Sequence, residues 1–353
     1  MRQCVLPGPL DGGHMRRCQS SVLHQLPTGF IVFNLTGTAK ARPIQIGKFE
    51  SLSDPNQIAF VGLGNMGTPM VAQMARAGQS LRVFDLDPER VDQCAAATGA
   101  TPATSASEAT TDADVLILML PDGRAVSELL FAQDVAKTLS PETTVVDMSS
   151  SYPPTTRETG ARLKEQGVTL LDAPVSGGVR RAEDGTLAIM LGGDDTAAIE
   201  RVMPVLSSMG TVHLAGGLGS GHALKALNNY VSAAGLTAAA EALHVGQAFG
   251  LDPDTMIEVF NLSSGRNNST ELKFRQHILS GTFTSGFSLG LMAKDINAAA
   301  DLAEDMNIDA PNLRSEADLW RTARDKLGAG VDHTEIYDYL GPQQAKVPGE
   351  DVS

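Results

Sequence analysis

Residues 58–67 read Ile58-Ala-Phe-Val-Gly62-Leu-Gly64-Asn65-Met66-Gly67, and the fold follows from them. A short apolar run bounded by turn residues suits a strand buried on both faces. The glycines after it have the spacing G-x-G-x-x-G and open a helical stretch. Gly62 permits a tight turn, Gly64 lets the backbone approach a pyrophosphate, and Gly67 lets helix and strand pack closely. The helix N-terminus then offers unpaired N–H groups and a positive dipole end to phosphates. Alone the motif is weak, since glycine-rich turns also close ordinary βα loops. Its context makes it specific. Asp85 ends the next apolar run, eighteen residues past Gly67, close to the ~20 expected of a ribose-binding carboxylate. Such a carboxylate accepts both ribose hydroxyls and repels a 2′-phosphate. Leu86, not an arginine, follows it, so NAD is expected in preference to NADP.

The apolar run of 58–63 recurs at Leu81–Asp85, Val115–Leu120, Thr144–Met148 and Val168–Leu171, with helical stretches opening at Asn65, Pro88, Gly123 and Pro153. Alternation of this kind predicts a mostly parallel, doubly wound sheet. Leu187–Leu191 and Val212–Leu214 are two further strand candidates, flanking a helix that starts near Asp194. After Gly219 the strands stop. Residues 221–250 form one long helical candidate without proline, followed by helices near Pro253–Leu262, Leu289–Met306 and Pro311–Leu327. The break falls where four glycines crowd into Gly216–Gly221. The expected architecture is α/β: a Rossmann-like doubly wound domain over 57–218, then an all-α domain over 219–341 joined to it by a long helix. Residues 1–56 read as a disordered N-terminal extension and 342–353 as a tail.

The composition narrows the function. Lys and Arg number 27 against 41 Asp and Glu, a formal net charge of −14. Such a chain repels phosphate backbones and anionic membranes, so neither nucleic acid nor membrane is expected as a partner. The longest apolar stretch, Tyr230 to Leu251, is interrupted by Glu241, His244 and Gln247 and reads as a buried helix, not a span. Cys4, Cys18 and Cys94 lack metal-ligand spacing and the histidines form no H-x-x-x-H pattern, so no metal is expected. The scarce cysteines fit a reducing compartment, and a cytoplasmic location is the simpler reading. Residues 1–56 are more basic than acidic, which makes the mitochondrial matrix the alternative, although Pro7, Pro9 and Gly12-Gly13 spoil an amphipathic transit helix.

Lys225 and Asn229 lie four residues apart on the long helix and project from one face. Their Ala-, Leu- and Gly-rich surroundings would bury the lysine stem and lower its pKa, which suits proton transfer to an alkoxide. By spacing alone, an ordinary surface lysine is the competing reading.

Read together, Val61-Gly-Leu-Gly-Asn-Met-Gly67, Asp172-Ala-Pro-Val-Ser-Gly-Gly178, Lys225-Ala-Leu-Asn-Asn229 and Met292-Ala-Lys-Asp295 resemble the β-hydroxyacid dehydrogenase family, in particular its 3-hydroxyisobutyrate dehydrogenase branch. The four blocks keep the family's order and span about residues 57–340. The resemblance implies an active site in the cleft between a Rossmann-like and an all-α domain, and an NAD-dependent interconversion of a small 3-hydroxy acid and its semialdehyde. By position, Lys225 matches the catalytic lysine, and Asn229 a residue holding the substrate's hydroxyl or carboxylate. Ser176, Gly177 and Gly178 would grip the carboxylate of a small anionic hydroxy acid. Asn65, Met66, Leu120 and Pro121 match cofactor contacts, Ser150 a hydroxyl residue near the nicotinamide, and Lys294 a lysine that closes over the cofactor. A homodimer or homotetramer built through the helical domain is implied as well.

Two departures bear on the substrate. Asn267-Asn268 stand where 3-hydroxyisobutyrate dehydrogenases often have Cys-Trp, and Ala125 replaces a frequent polar cofactor contact. The two amides either make the pocket more polar or cap a helix and face water. The runner-up activity is a tartronate semialdehyde (2-hydroxy-3-oxopropionate) reductase or a related sugar-acid dehydrogenase. A non-catalytic cofactor-binding module is the reading from another class, but such relatives would be expected to lose the lysine.

Overall fold

Apolar strands without alternation need cover on both sides, and the sheet has it. The computed structural model describes residues 57–342. The readings of 1–56 as an extension or transit segment, and of the tail past 342, lie outside the described residues. The strands are β1 Ile58–Val61, β2 Leu81–Phe84, β3 Thr101–Pro102, β4 Val115–Leu118, β5 Thr144–Asp147, β6 Thr169–Asp172, β7 Val175–Ser176, β8 Leu187–Gly192 and β9 Gly210–Gly216. They run in the order β3-β2-β1-β4-β5-β6-β8-β7, with β9 paired to β8. Every pairing from β3 through β6 is parallel. In β1, Ile58 and Phe60 enter one apolar layer with Met70 and Met74, while Ala59 and Val61 enter the opposite layer with Leu116 and Leu163. Because successive side chains point to opposite faces, both sets must be apolar, as the sequence has them.

The chain leaves β1 to build β2 and β3 on one side, then returns to build β4 to β6 on the other. The crevice at the C-terminal ends of β1 and β4 is therefore the topological switch point, where ligands bind in open α/β sheets. β8 departs from the parallel expectation, meeting β6 and β7 antiparallel. β3 and β7, of two residues each, carry no sequence signal of their own.

The helix Ser220–Phe249 runs thirty residues, about 45 Å at 1.5 Å per residue. Its N-cap is Gly219, which has no side chain to satisfy the first N–H groups. Asp172, at the end of β6, does this from another element: Oδ1 accepts from Gly219 N (2.7 Å) and Oδ2 from His222 N (2.8 Å). A carboxylate at a helix N-terminus also complements the dipole. The sheet thus fixes the start of the helix that carries Lys225. Beyond it, Leu289–Asp305 and Pro311–Leu327 pack with the long helix around Trp320, Phe274, Leu236, Leu243 and Ile296.

Candidate active site

The glycine turn behaves as its spacing requires. Gly62 has φ +103°, and a Cβ there would collide with the Met119 carbonyl of the neighbouring β4 end. A Cβ on Gly67 would collide with the Gly62 carbonyl, so helix and turn are in direct backbone contact. Gly64 is different. An added Cβ would meet only Arg90 Nη1, at 3.7 Å, so the space over it is open. That opening belongs to a cavity of about 570 Å³ whose wall includes Gly62, Gly64, Asn65, Met66, Gly67, Asp85, Leu120 and Pro121. Asp85 is anchored there by the backbone: Oδ2 accepts from Leu63 N (2.6 Å) and Oδ1 from Asp87 N (2.9 Å). Each oxygen keeps a lone pair for a ribose hydroxyl. Open space over Gly64, a carboxylate beside it and the helix Gly67–Arg76 behind it fit a dinucleotide.

A second cavity, about 450 Å³, is lined by Ser150, Tyr152, His222, Lys225, Lys294 and Asp295 among others. The segment 121–125 borders both cavities: Pro121 and Ala125 on the first, Asp122, Gly123 and Arg124 on the second. Lys225 is half-buried on this wall. Its pKa is pushed below the ordinary lysine value, chiefly by burial; the Asp295 carboxylate opposes the shift and the Lys294 charge reinforces it. Lys294 crosses from the helical domain to the strand ends, where its Nζ donates to Ser150 O (2.8 Å) and Pro121 O (3.0 Å) and lies 3.5 Å from Asp295 Oδ1. Tyr152 makes a second crossing, its hydroxyl donating to Asp305 Oδ2 at 2.6 Å. Burial, then the Asp305 bond and charge, raise the Tyr152 pKa, so the phenol keeps its proton.

Beneath the wall lies a polar network that the sequence did not disclose. Asp147, at the end of β5, accepts from Ser149 N (2.9 Å) and Ser151 Oγ (2.8 Å). Ser149 Oγ in turn accepts from Leu120 N (3.0 Å), tying the ends of β4 and β5. His222 Nε2 lies 3.0 Å from Ser149 O, which can only accept, so this nitrogen carries the proton. The same ring sits between Asp147 (3.8 Å) and Asp172 (3.7 Å), with Nδ1 2.8 Å from Thr156 Oγ1. The loop bearing Ser150 and the helix turn bearing Lys225 are thereby locked to one another.

Not every expected residue meets at this wall. Asn229 is buried behind it, its Nδ2 donating to Asp295 Oδ2 at 2.6 Å, so it orients the carboxylate that faces Lys225. Ser176 pairs with Ala188 in the β7–β8 ladder, and the Gly177–Gly178 turn (φ +136° and +69°) opens a short helix; none of the three lines the Lys225 cavity. The helix-capping reading of the amide pair holds for Asn267, whose Oδ1 accepts from Ser269 N (2.8 Å) and Thr270 N (3.1 Å), while Asn268 is exposed. Arg90 and Asp295 are wall residues that sequence reasoning missed. Asp295 lies in the Met292–Asp295 motif, where sequence reasoning assigned it no role, and Arg90 sits in the first turn of the helix Pro88–Thr98, the end of its side chain reaching Gly64.

The site defines a dinucleotide-binding domain joined to a helical domain that delivers a lysine. Residues 57–217 match the family described as the NAD binding domain of 6-phosphogluconate dehydrogenase, and residues 219–340 the family described as NAD-binding of NADP-dependent 3-hydroxyisobutyrate dehydrogenase. The 2-hydroxy-3-oxopropionate reductase of Escherichia coli (strain K12) is 35% identical, over 80% of this chain and 97% of that protein. The NAD-dependent L-serine dehydrogenase of Pseudomonas aeruginosa is 36% identical, over 82% and 99%. The solved 3-hydroxyisobutyrate dehydrogenase of Mycobacterium tuberculosis with L-serine superposes with a TM-score of 0.75 at 34% identity, covering 81% of this chain and 99% of that one. The chain belongs to the β-hydroxyacid dehydrogenase family.

Proposed function

We propose that the chain oxidises a small 3-hydroxy acid to its semialdehyde, or runs the reverse reduction, with NAD as the preferred dinucleotide. The observation that carries this is Lys225: a half-buried amine with a lowered pKa, on a cavity that adjoins the dinucleotide cavity across residues 121–125. Nicotinamide, when bound, takes or gives the hydride. Lys225 takes the proton from the substrate's hydroxyl oxygen in oxidation and returns it in reduction. Its lowered pKa brings the amine nearer the working pH, where proton transfer is most effective. Asp295, held by Asn229, keeps the ammonium form accessible against burial. Lys294 and Tyr152 hold the two domains together around the reacting atoms.

In this reading the substrate extends beyond the Lys225 cavity, its carboxylate taken by Ser176, Gly177 and Gly178, which lie outside that cavity, and Ser176→Ala raises KM more than it lowers kcat. Asp85 gives the NAD preference through the ribose hydroxyls. The substrate is of the 3-hydroxyisobutyrate type; a tartronate semialdehyde reductase is the second reading, favoured by the Escherichia coli relative. A homodimer or homotetramer is supported by the apolar residues Val231, Val245, Phe249 and Leu262 that the helical domain exposes. The location proposed is the cytoplasm, with the mitochondrial matrix as the alternative; among the described residues no helix is long and apolar enough to cross a membrane. The test is a panel of 3-hydroxyisobutyrate, glycerate and L-serine with NAD and NADP, read at the NADH absorbance band. Turnover of at least one acid, faster with NAD, is expected. No turnover of any acid by protein that binds NAD would reject the activity.

A further inference from the structure

The helix Ser220–Phe249 presents one polar strip to two neighbours. Lys225, Asn229 and Ser232 stand at i, i+4 and i+7 and so share a face. Asn229 turns to the helix Leu289–Asp305, where its Nδ2 donates to Asp295 Oδ2 at 2.6 Å. Ser232 turns to another segment: its Oγ accepts from Lys273 Nζ at 3.3 Å, and its carbonyl from Ser269 Oγ at 3.5 Å. Lys273, directly after the short helix Asn268–Leu272, thus reaches the strip beyond Lys225. Like Ser176, it lies outside the lining of the Lys225 cavity.

Lys273 is a half-buried cation without a counterion. Among the described residues Ser232 Oγ is its one side-chain hydrogen-bond partner, and no carboxylate pairs with it. Burial pushes its pKa down to about 8 against the pull of the Asp332 charge, so it keeps its proton at neutral pH. Asp332 is already engaged, Oδ1 accepting from Thr334 N (3.0 Å) and Oδ2 from Gly286 N (2.9 Å). His333 brings no negative charge. Its Nδ1 donates to Phe287 O (3.1 Å), and its Nε2 is a bare lone pair, buried without a partner among the described residues. An ammonium drawn out of water is costly, and an anion at hydrogen-bond distance offsets that cost. The proton transfer at Lys225 gives Lys273 no role, and the fold gives it no anion.

Resting on the activity proposed above, we propose that Lys273 and Ser232 hold a second carboxylate of the substrate, a short chain away from the carbon that Lys225 serves. Ser232 lies seven residues past Lys225, about 10 Å along the helix axis. A hydrogen bond of about 3 Å at each end leaves room for a few carbons between the reacting hydroxyl and the far carboxylate. The first carboxylate keeps its place at Ser176, Gly177 and Gly178. The substrate class is then a hydroxymethyl dicarboxylic acid.

The test is calorimetric titration of two acids into the full-length chain saturated with NAD. They are 2-(hydroxymethyl)succinate and 2-(hydroxymethyl)butanoate, which differ by a carboxylate against a methyl. Wild type should hold the diacid about tenfold more tightly, as for a hydrogen bond to a charged group. Lys273→Gln should bind the two acids alike, with its monoacid affinity within about twofold of wild type, which also shows the pocket intact. Lys273→Arg should keep part of the preference. A pH series on wild type needs no variant: the diacid preference should decline above about pH 8 as Lys273 loses its proton. Asp332 and His333, the titrating groups beside it, both have lowered pKa values and hold their charge state there; His277 lies one turn along its own helix. Equal wild-type affinities, or a preference that survives both Lys273→Gln and high pH, would overturn the proposal. Wild type that turns over 3-hydroxyisobutyrate but binds neither larger acid would also overturn it, leaving the activity standing. No turnover and no binding of any acid would reject the activity and this inference with it.

Discussion

Gly64 and Gly67 sit three residues apart in one turn, yet alanine should do opposite things at the two positions. At Gly67 the new methyl would fall on the Gly62 carbonyl, a backbone atom that cannot rotate away. The helix Gly67–Arg76 would have to move off β1, at about 1–3 kcal/mol for an overpacked site. At Gly64 the methyl would meet only the end of the Arg90 side chain at 3.7 Å, an ordinary contact. The fold should not register it beyond about 0.5 kcal/mol. A bound pyrophosphate needs the same space, however, and a methyl intruding there should weaken NAD by about 1–3 kcal/mol, roughly 5- to 150-fold in Kd. Urea unfolding and NAD titration of both variants measure the two quantities separately. The prediction is a stable Gly64→Ala that binds poorly and an unstable Gly67→Ala. If Gly64→Ala bound NAD like wild type, or lost as much stability as Gly67→Ala, the open space over Gly64 would not be the phosphate site.

Other consequences follow from the same geometry. Asp295→Asn removes the charge that opposes the lowering of the Lys225 pKa, so the pH at which oxidation rises should move down; a profile unmoved or moved up contradicts the assignment. Lys225 has a lower pKa folded than unfolded, so between those values the unfolded chain binds more protons and stability rises with pH. Lys225→Met should therefore be more stable than wild type at pH 7 and lose that advantage at high pH, as urea unfolding at two pH values would show. Asp172→Ala strips the acceptor from Gly219 N and His222 N and should lower unfolding free energy by about 2 kcal/mol; a loss under about 0.5 kcal/mol would mean the long helix is capped otherwise.

The sequence disclosed what is local and periodic. Ile58–Val61 and Val115–Leu118 are apolar throughout because both faces are covered, and that pattern needs no tertiary information. The glycine spacing and Asp85 were equally legible, since turn, strand end and acid follow one another along the chain. β3 and β7 were not, because two residues cannot show a period. The Asp147–His222–Asp172 network joins three segments that only the sheet brings together, and no spacing rule connects positions 147, 172 and 222. Arg90 escaped for a related reason: its place on the cavity wall depends on its side chain reaching from the helix Pro88–Thr98 to Gly64, which no spacing discloses. Asn229 was found on the right helix face, but its partner, Asp295, comes from another helix, Leu289–Asp305, sixty-six residues along the chain.

The most direct measurement is the single-turnover rate of NADH formation by Lys225→Met at saturating NAD and hydroxy acid. A fall of about 10² to 10⁴, with NAD affinity kept within about twofold, is what proton transfer by this amine predicts. A variant that forms NADH at close to the wild-type rate would contradict it.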